Sequence, residues 1–99
     1  MFNMHSDMKR IDLLKKRQAM LKEEISSNLD LLIGTVGRSP AMKQHNLTTK
    51  VDGKTVTRYV RKGLVAKAKK MTDCHKRVRS LIQQLSKVNW ELLKLESTE

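Results

Sequence analysis

Between Leu47 and Val60 the chain reads LTTKVDGKTVTRYV, two short β-prone runs separated by Asp52-Gly53. A type I′ turn needs positive φ at both central residues, and Asp-Gly tolerates that, so the stretch predicts a β-hairpin with a two-residue loop. The loop length fixes the register. Val51 opposes Lys54, Thr49 opposes Val56, and Leu47 opposes Arg58. Those six side chains share one face with Val60, while Thr48, Lys50, Thr55, Thr57 and Tyr59 share the other. One face is mostly apolar and has to rest on something. The other offers hydroxyls, an ammonium and a phenol. An isolated hairpin is marginal in water, so the flanking segments must support it.

Those segments carry helical periodicity. Ile11, Leu14, Gln18, Leu21, Ile25, Asn28 and Leu32 recur at three- and four-residue steps. They form an a/d-type seam with polar breaks at Gln18 and Asn28. A first helix is therefore predicted over 7–32, capped by Ser6 or Asp7 and stopped at Gly34 and Gly37. Residues 33–46 hold the only proline, Pro40, and several turn formers. They read as a loop, with room for a short extended piece around Thr35-Val36. After the connector Arg61-Lys62-Gly63, a second helix is predicted over 64–95. Its seam runs Leu64, Ala68, Met71, His75, Val78, Ile82, Leu85, Asn89, Leu92. From Leu81 onward, Leu85, Val88, Leu92 and Leu95 take over, the drift that a seven-residue repeat makes around a 3.6-residue helix. Thr72-Asp73 are good caps, so the helix can bend or restart there; one continuous helix is the preferred reading.

The expected fold is mainly α with a small β-hairpin, in α-ββ-α order, as a single domain over 1–99. The two helices pack antiparallel in a coiled-coil-like stalk and the hairpin projects as a two-stranded wing. Two helices cannot close a round core, so their outer faces can seek a second copy and give a homodimer. Trp90 points away from the main stripe, and an exposed Trp is often a contact anchor. With Leu92 and Leu95 it is the candidate partner-binding group. The alternative is that Trp90 folds over the end of the stalk.

Charge narrows the function. The 99 residues hold 21 Lys/Arg against 10 Asp/Glu, a formal +11. Residues 1–33 contribute +1 of this, 34–62 contribute +6 and 63–99 contribute +4. Charge concentrated in one region indicates a polyanion partner more than a merely solubilising surface. On the second helix Lys62, Lys69 and Lys76 are seven apart and lie opposite the seam, flanked by Lys70 and Arg77. With Lys50, Lys54, Arg58 and Arg61 they are expected to make one basic surface that neutralises phosphates. Thr48, Thr55 and Thr57 can add hydroxyl-to-phosphate bonds, which position a strand without reading its sequence. A two-stranded ribbon is also narrow enough for a major groove. Tyr59 either stacks on a base or packs on the stalk, and packing is the preferred expectation.

Other chemistry finds little support. Cys74 is the only cysteine, which rules out an internal disulfide framework and suggests a reducing, intracellular setting. Cys74-His75 lack the spacing of a metal site. His75 lies on the seam, so an interior histidine is the better reading, and Cys74 reads as inert. No cofactor, no metal and no catalytic constellation is expected, and the chain is not read as an enzyme. The amino-terminal MFNMHSDMKR has no apolar signal core. Apolar runs such as Leu31-Leu32-Ile33 are far too short to span a bilayer. No membrane association and a cytoplasmic location are expected.

Gly53-Lys54-Thr55, Arg58-Tyr59-Val60 and Asn89-Trp90-Glu91-Leu92-Leu93 carry a resemblance that covers about the last two-thirds of the chain. The chain resembles an uncharacterised family of short basic bacterial and archaeal proteins associated with transposases and other mobile-element genes. Its members run helix, loop with a strand, a "GKT…RYV" strand, then a long helix with an "LN-ELL"-like tail. Many carry a Cys-rich "CGK-CRC" and "HGPY" segment before the hairpin. This chain has VGRSPAMKQHNLTTK there, so a metal role is not carried over. The resemblance implies a mobile-element setting and no particular activity. Together these readings predict a non-catalytic accessory protein that holds DNA or RNA for a larger enzyme such as a transposase. The alternative is a helical protein–protein interaction or oligomerisation module.

Overall fold

In a computed structural model of the chain, the backbone is described for residues 2–38, 41 and 43–96, and side chains from Lys9 onward. The elements are helix α1 (Phe2–Ser26), strands β1 (Thr35–Arg38), β2 (His45–Val51) and β3 (Lys54–Val60), a 3₁₀ turn (Lys62–Leu64), and helix α2 (Val65–Glu96). The chain is mainly helical with a small antiparallel sheet, as expected. It divides into two compact units. Unit 1 is built by α1 and by α2 from Val78 on, and unit 2 is Asn28–Arg77.

In unit 2 the hairpin has the predicted register, with Val51 opposite Lys54, Thr49 opposite Val56 and Leu47 opposite Arg58. Asp52 (φ 51°) and Gly53 (φ 79°) both take positive φ, the requirement of a type I′ turn. The hairpin is not two-stranded, however. β1 pairs antiparallel with β2, Val36 opposite Leu47 and Arg38 opposite His45, so the sheet order is β1-β2-β3. The short extended piece expected around Thr35-Val36 is thus a full partner strand, and Gly37 belongs to it instead of stopping a helix. Four residues broken by a glycine show too little alternation to be read as a strand; the partner supplies the missing hydrogen bonds. Gly34 makes the close approach possible. Its φ is +142°, and a Cβ there would lie 2.5 Å from the Thr48 carbonyl oxygen, so only glycine fits.

By register Val36, Leu47, Val56 and Val60 occupy one face of the sheet. Leu47 is buried on it, as are Ala68 and Thr72 on the first turns of α2. Leu32 ties the incoming chain to this layer by donating its amide to the Met71 carbonyl (3.0 Å).

The first helix differs from expectation at both ends. It starts at Phe2, so Ser6 and Asp7 lie inside it instead of capping it. Nothing upstream breaks the helix, and extending one costs less than nucleating it. It ends at Ser26, not Leu32. The Ser27 amide makes a last helical bond to Glu23 O while its hydroxyl donates to Glu24 O (both 3.0 Å), the side-chain competition for backbone acceptors that makes Ser and Asn poor helix formers. Asn28 and Leu32, expected on the helical seam, are half-buried outside any helix.

α2 is one uninterrupted helix. Thr72 does not restart it: buried, it donates its hydroxyl back to the Lys69 carbonyl (2.8 Å). Within unit 1 the seams meet as the periodicity requires. Leu21, Leu81 and Val88 form the buried cluster, with Leu14, Ile25, Leu85 and Leu92 packed against it. Burying one such side chain contributes about 1.5–3 kcal/mol. Arg10 bonds Glu91 (3.0 Å), Arg17 reaches Gln84 (3.5 Å), and Gln18 donates to Asn89 (2.7 Å), so the two helical segments run antiparallel. The polar break at Gln18 therefore has its partner in the polar seam position of the opposite helix.

Candidate functional site

Charge is divided unequally between the units. Asn28–Arg77 holds twelve basic residues against three acidic ones, a formal +9, while the rest of the chain holds nine against seven, +2. The Arg10–Glu91 and Lys94–Glu91 ion pairs (3.0 and 2.9 Å) belong to unit 1. Glu91 accepts from Lys94, whose hydrogen bond and charge, with the charge of Arg10, hold its carboxyl below the usual range.

In unit 2, Lys50, Lys54, Thr55, Thr57, Arg58, Arg61, Lys62, Lys69, Lys70, Lys76 and Arg77 are all exposed. Among the described residues no carboxylate forms an ion pair with Lys50, Lys54, Arg58, Arg61, Lys62, Lys69, Lys70 or Lys76. Arg61 and Lys62 follow β3 at the start of the 3₁₀ turn, and the other nine fall into three groups. Lys54 and Arg58 stand on the sheet face that also carries Leu47 and Val60, whereas Lys50, Thr55 and Thr57 stand on the opposite face. Lys69, Lys70, Lys76 and Arg77 surround Asp73 at three- and four-residue helical spacing, the distance at which side chains become neighbours. Lys70 and Arg77 lie away from the buried Ala68 and Thr72, whereas Lys69 and Lys76 are helical neighbours of Thr72. The sheet's contribution is thus carried by both of its faces.

Sequence reasoning passed over three cations here. Arg38 stands on the rung Arg38–His45–Val60 across the three strands. With Lys43 and Lys62 it lines a hollow of about 440 Å³ that also touches Gln44, His45, Tyr59 and Val60. Lys67, with Arg58 and Arg61, lines a second hollow of about 430 Å³. The signal for Arg38 was the pairing of β1, which periodicity did not reveal. Tyr59 does not pack away as expected: it is 59% exposed. It is the penultimate residue of an edge strand, where no neighbouring strand covers it.

In unit 1, Trp90 is 58% exposed. Leu92 and Leu95 are half-buried, and Leu92 packs against the Leu21–Leu81–Val88 cluster. The exposed companion of Trp90 is Leu93, at 53%. His75 and Cys74 are half-buried. Among the described residues no group of three or more His, Cys, Asp or Glu gathers as metal ligands, and no helix is long and apolar enough to cross a membrane.

No family model, no curated protein and no solved structure matches the chain.

Proposed function

We propose that the chain is a non-catalytic nucleic-acid-binding accessory protein whose contact surface is unit 2. The observation that carries this reading is the +9 formal charge of that unit, with its lysines and arginines exposed. Exposed Lys and Arg neutralise phosphates and release the counterions condensed on the nucleic acid. Lys69, Lys70, Lys76 and Arg77 supply one group of phosphate contacts, with Lys54, Arg58, Arg61 and Lys62 a second. Lys50, Thr55 and Thr57 supply a third, with hydroxyls that fix position. DNA or RNA is the partner, and a transposase or another larger enzyme is the machine served, in the setting that the family resemblance implies. In this reading the antiparallel helices of unit 1 act as a coiled-coil-type stalk, and the protein works in the cytoplasm.

The test is retention of a labelled oligonucleotide by the full chain and by a variant with Lys54, Arg58, Arg61 and Lys69 all changed to Glu. The native chain should bind with a steep salt dependence and the variant should not bind. Equal binding by both would sink the proposal.

A second reading has its own support. Leu13, Met20, Ile82, Trp90 and Leu93 are large apolar side chains of unit 1, each at least half exposed, and exposed apolar surface marks association sites. Unit 1 then serves as an oligomerisation or partner-binding module. Sedimentation equilibrium decides: a dimer that Trp90→Ser with Leu93→Ser returns to monomer supports it, and a monomer at high concentration rejects it.

A further inference from the structure

The rung Arg38–His45–Val60 is the last of the sheet at the end away from the Asp52-Gly53 turn, and by register its three side chains share one face. Because β2 and β3 run antiparallel, the chain just before His45 and the chain just after Val60 leave the sheet at this same end. Lys43 stands two residues before His45, Lys62 two residues after Val60, and Arg38 is the last residue of β1. Three exposed cations from three separate stretches of chain therefore meet around one hollow of about 440 Å³, with Gln44 and the half-buried His45 in its lining. Tyr59 and Val60 close the lining; the tyrosine side chain stands on the other face by register and is no part of the recognition. No carboxylate lines the hollow. Among the described residues none forms an ion pair with Arg38, Lys43 or Lys62, and Asp52 lies in the turn at the far end of the sheet.

Cations strung along a ridge meet successive phosphodiesters, each with a single negative charge. Cations gathered around one hollow suit a compact group of higher charge. A phosphate monoester is such a group: it carries about −1.5 to −2 at pH 7 and presents three strong acceptor oxygens. The Arg38 guanidinium grips two of them as a fork, while the lysines act as point charges. His45 and Gln44 add N–H donors. The hollow is of the size that holds a small organic molecule, so it has room for the sugar that carries the phosphate. We propose that it holds the phosphorylated end of a nucleic-acid strand, a terminal phosphate monoester with its sugar. A free nucleotide carries the same group. Only a ligand that continues beyond the hollow, however, reaches the other cations of a unit whose formal charge is +9, and that favours the strand. This rests on the nucleic-acid reading above and specifies which part of the strand the unit recognises.

The experiment compares one short, internally labelled single-stranded DNA with two hydroxyl ends, with a 5′-phosphate or with a 3′-phosphate, by fluorescence anisotropy at neutral pH and fixed salt. The native full chain should prefer a phosphorylated strand over the hydroxyl-ended one by about tenfold, the gain of one charge-assisted contact. Lys43→Gln with Lys62→Gln should remove that preference. Both residues lie outside the strands, so sheet pairing does not depend on them and the circular dichroism spectrum should stay native. Lys69→Gln with Lys70→Gln, outside the hollow, should weaken all three strands alike and keep the preference. Equal binding of the three strands by the native chain overturns the strand-end proposal while leaving phosphate binding by unit 2 standing. Binding of none overturns both. A preference that survives Lys43→Gln with Lys62→Gln overturns the hollow as its seat. A 5′-mononucleotide that binds as tightly as the phosphorylated strand overturns the proposal in favour of a free small phosphate.

Discussion

Gly34 and Gly53 both have positive φ, but they are not equivalent. A Cβ at Gly53 would meet nothing within 4 Å, whereas at Gly34 it would strike the Thr48 carbonyl oxygen and crowd Leu47 Cδ1 (3.0 Å) and Thr49 Cβ (3.1 Å). Gly53→Ala is therefore expected to cost about 1 kcal/mol, the left-handed penalty alone. Gly34→Ala should cost about 3 kcal/mol or more, since strain and collision add. Urea unfolding followed by strand-sensitive infrared bands measures both; equal losses would contradict the close approach of β1 to β2. Glu91 gives a pH prediction. Its folded carboxyl is held below the ordinary 4.5, first by the Lys94 hydrogen bond. A depressed carboxyl contributes stability that is present above its unfolded value and is lost as pH falls through the folded one. Glu91→Gln should lower the melting midpoint slightly at pH 7, and the difference should shrink as pH falls below 4.5. A difference that grew on acidification would reverse the assigned sign.

At the scale of elements, the helical seams were the most legible part of the chain. Ile11, Leu14, Gln18, Leu21 and Ile25 are the buried or half-buried positions of the described part of α1, because a period near 3.6 puts residues of one kind on one side whatever the partner is. The takeover at Leu81 was legible for the same reason: Leu81 and Val88 are buried while Ile82 and Asn89 are exposed. Leu21→Ala should cost unit 1 about 2–4 kcal/mol by opening a cavity among Leu81, Val88 and their neighbours. Helical circular dichroism on heating would register that loss, and an unchanged midpoint would mean that the cluster contributes little. The helix ends were not legible. The seam continues through Asn28 and Leu32, yet Ser27 turns its bonds inward and the Leu32 amide goes to Met71. Burial and helicity coincide in sequence pattern but part company there.

The whole molecule keeps most of its charge in Asn28–Arg77, and that has a thermodynamic signature. If the proposed phosphate contacts form, each one lost should reduce the slope of log K against log salt by about 0.7–0.9. Lys69→Ala and Lys76→Ala are expected to do so, while Lys15→Ala and Lys87→Ala in unit 1 leave it unchanged; equal effects from all four would point to diffuse attraction. The candidate surface was only half legible. Its lysines and arginines are plain in the sequence, but Arg38 and Lys67 were passed over, and Tyr59 was expected to be covered. What the sequence determined by itself is what local geometry dictates: the Asp52-Gly53 turn, the hairpin register, the helical faces and the uneven charge. The third strand, the early end of α1 and the two hollows of unit 2 were decided by tertiary structure. They depend on residues far apart in the chain, and no short-range period records which backbone will come to lie against which.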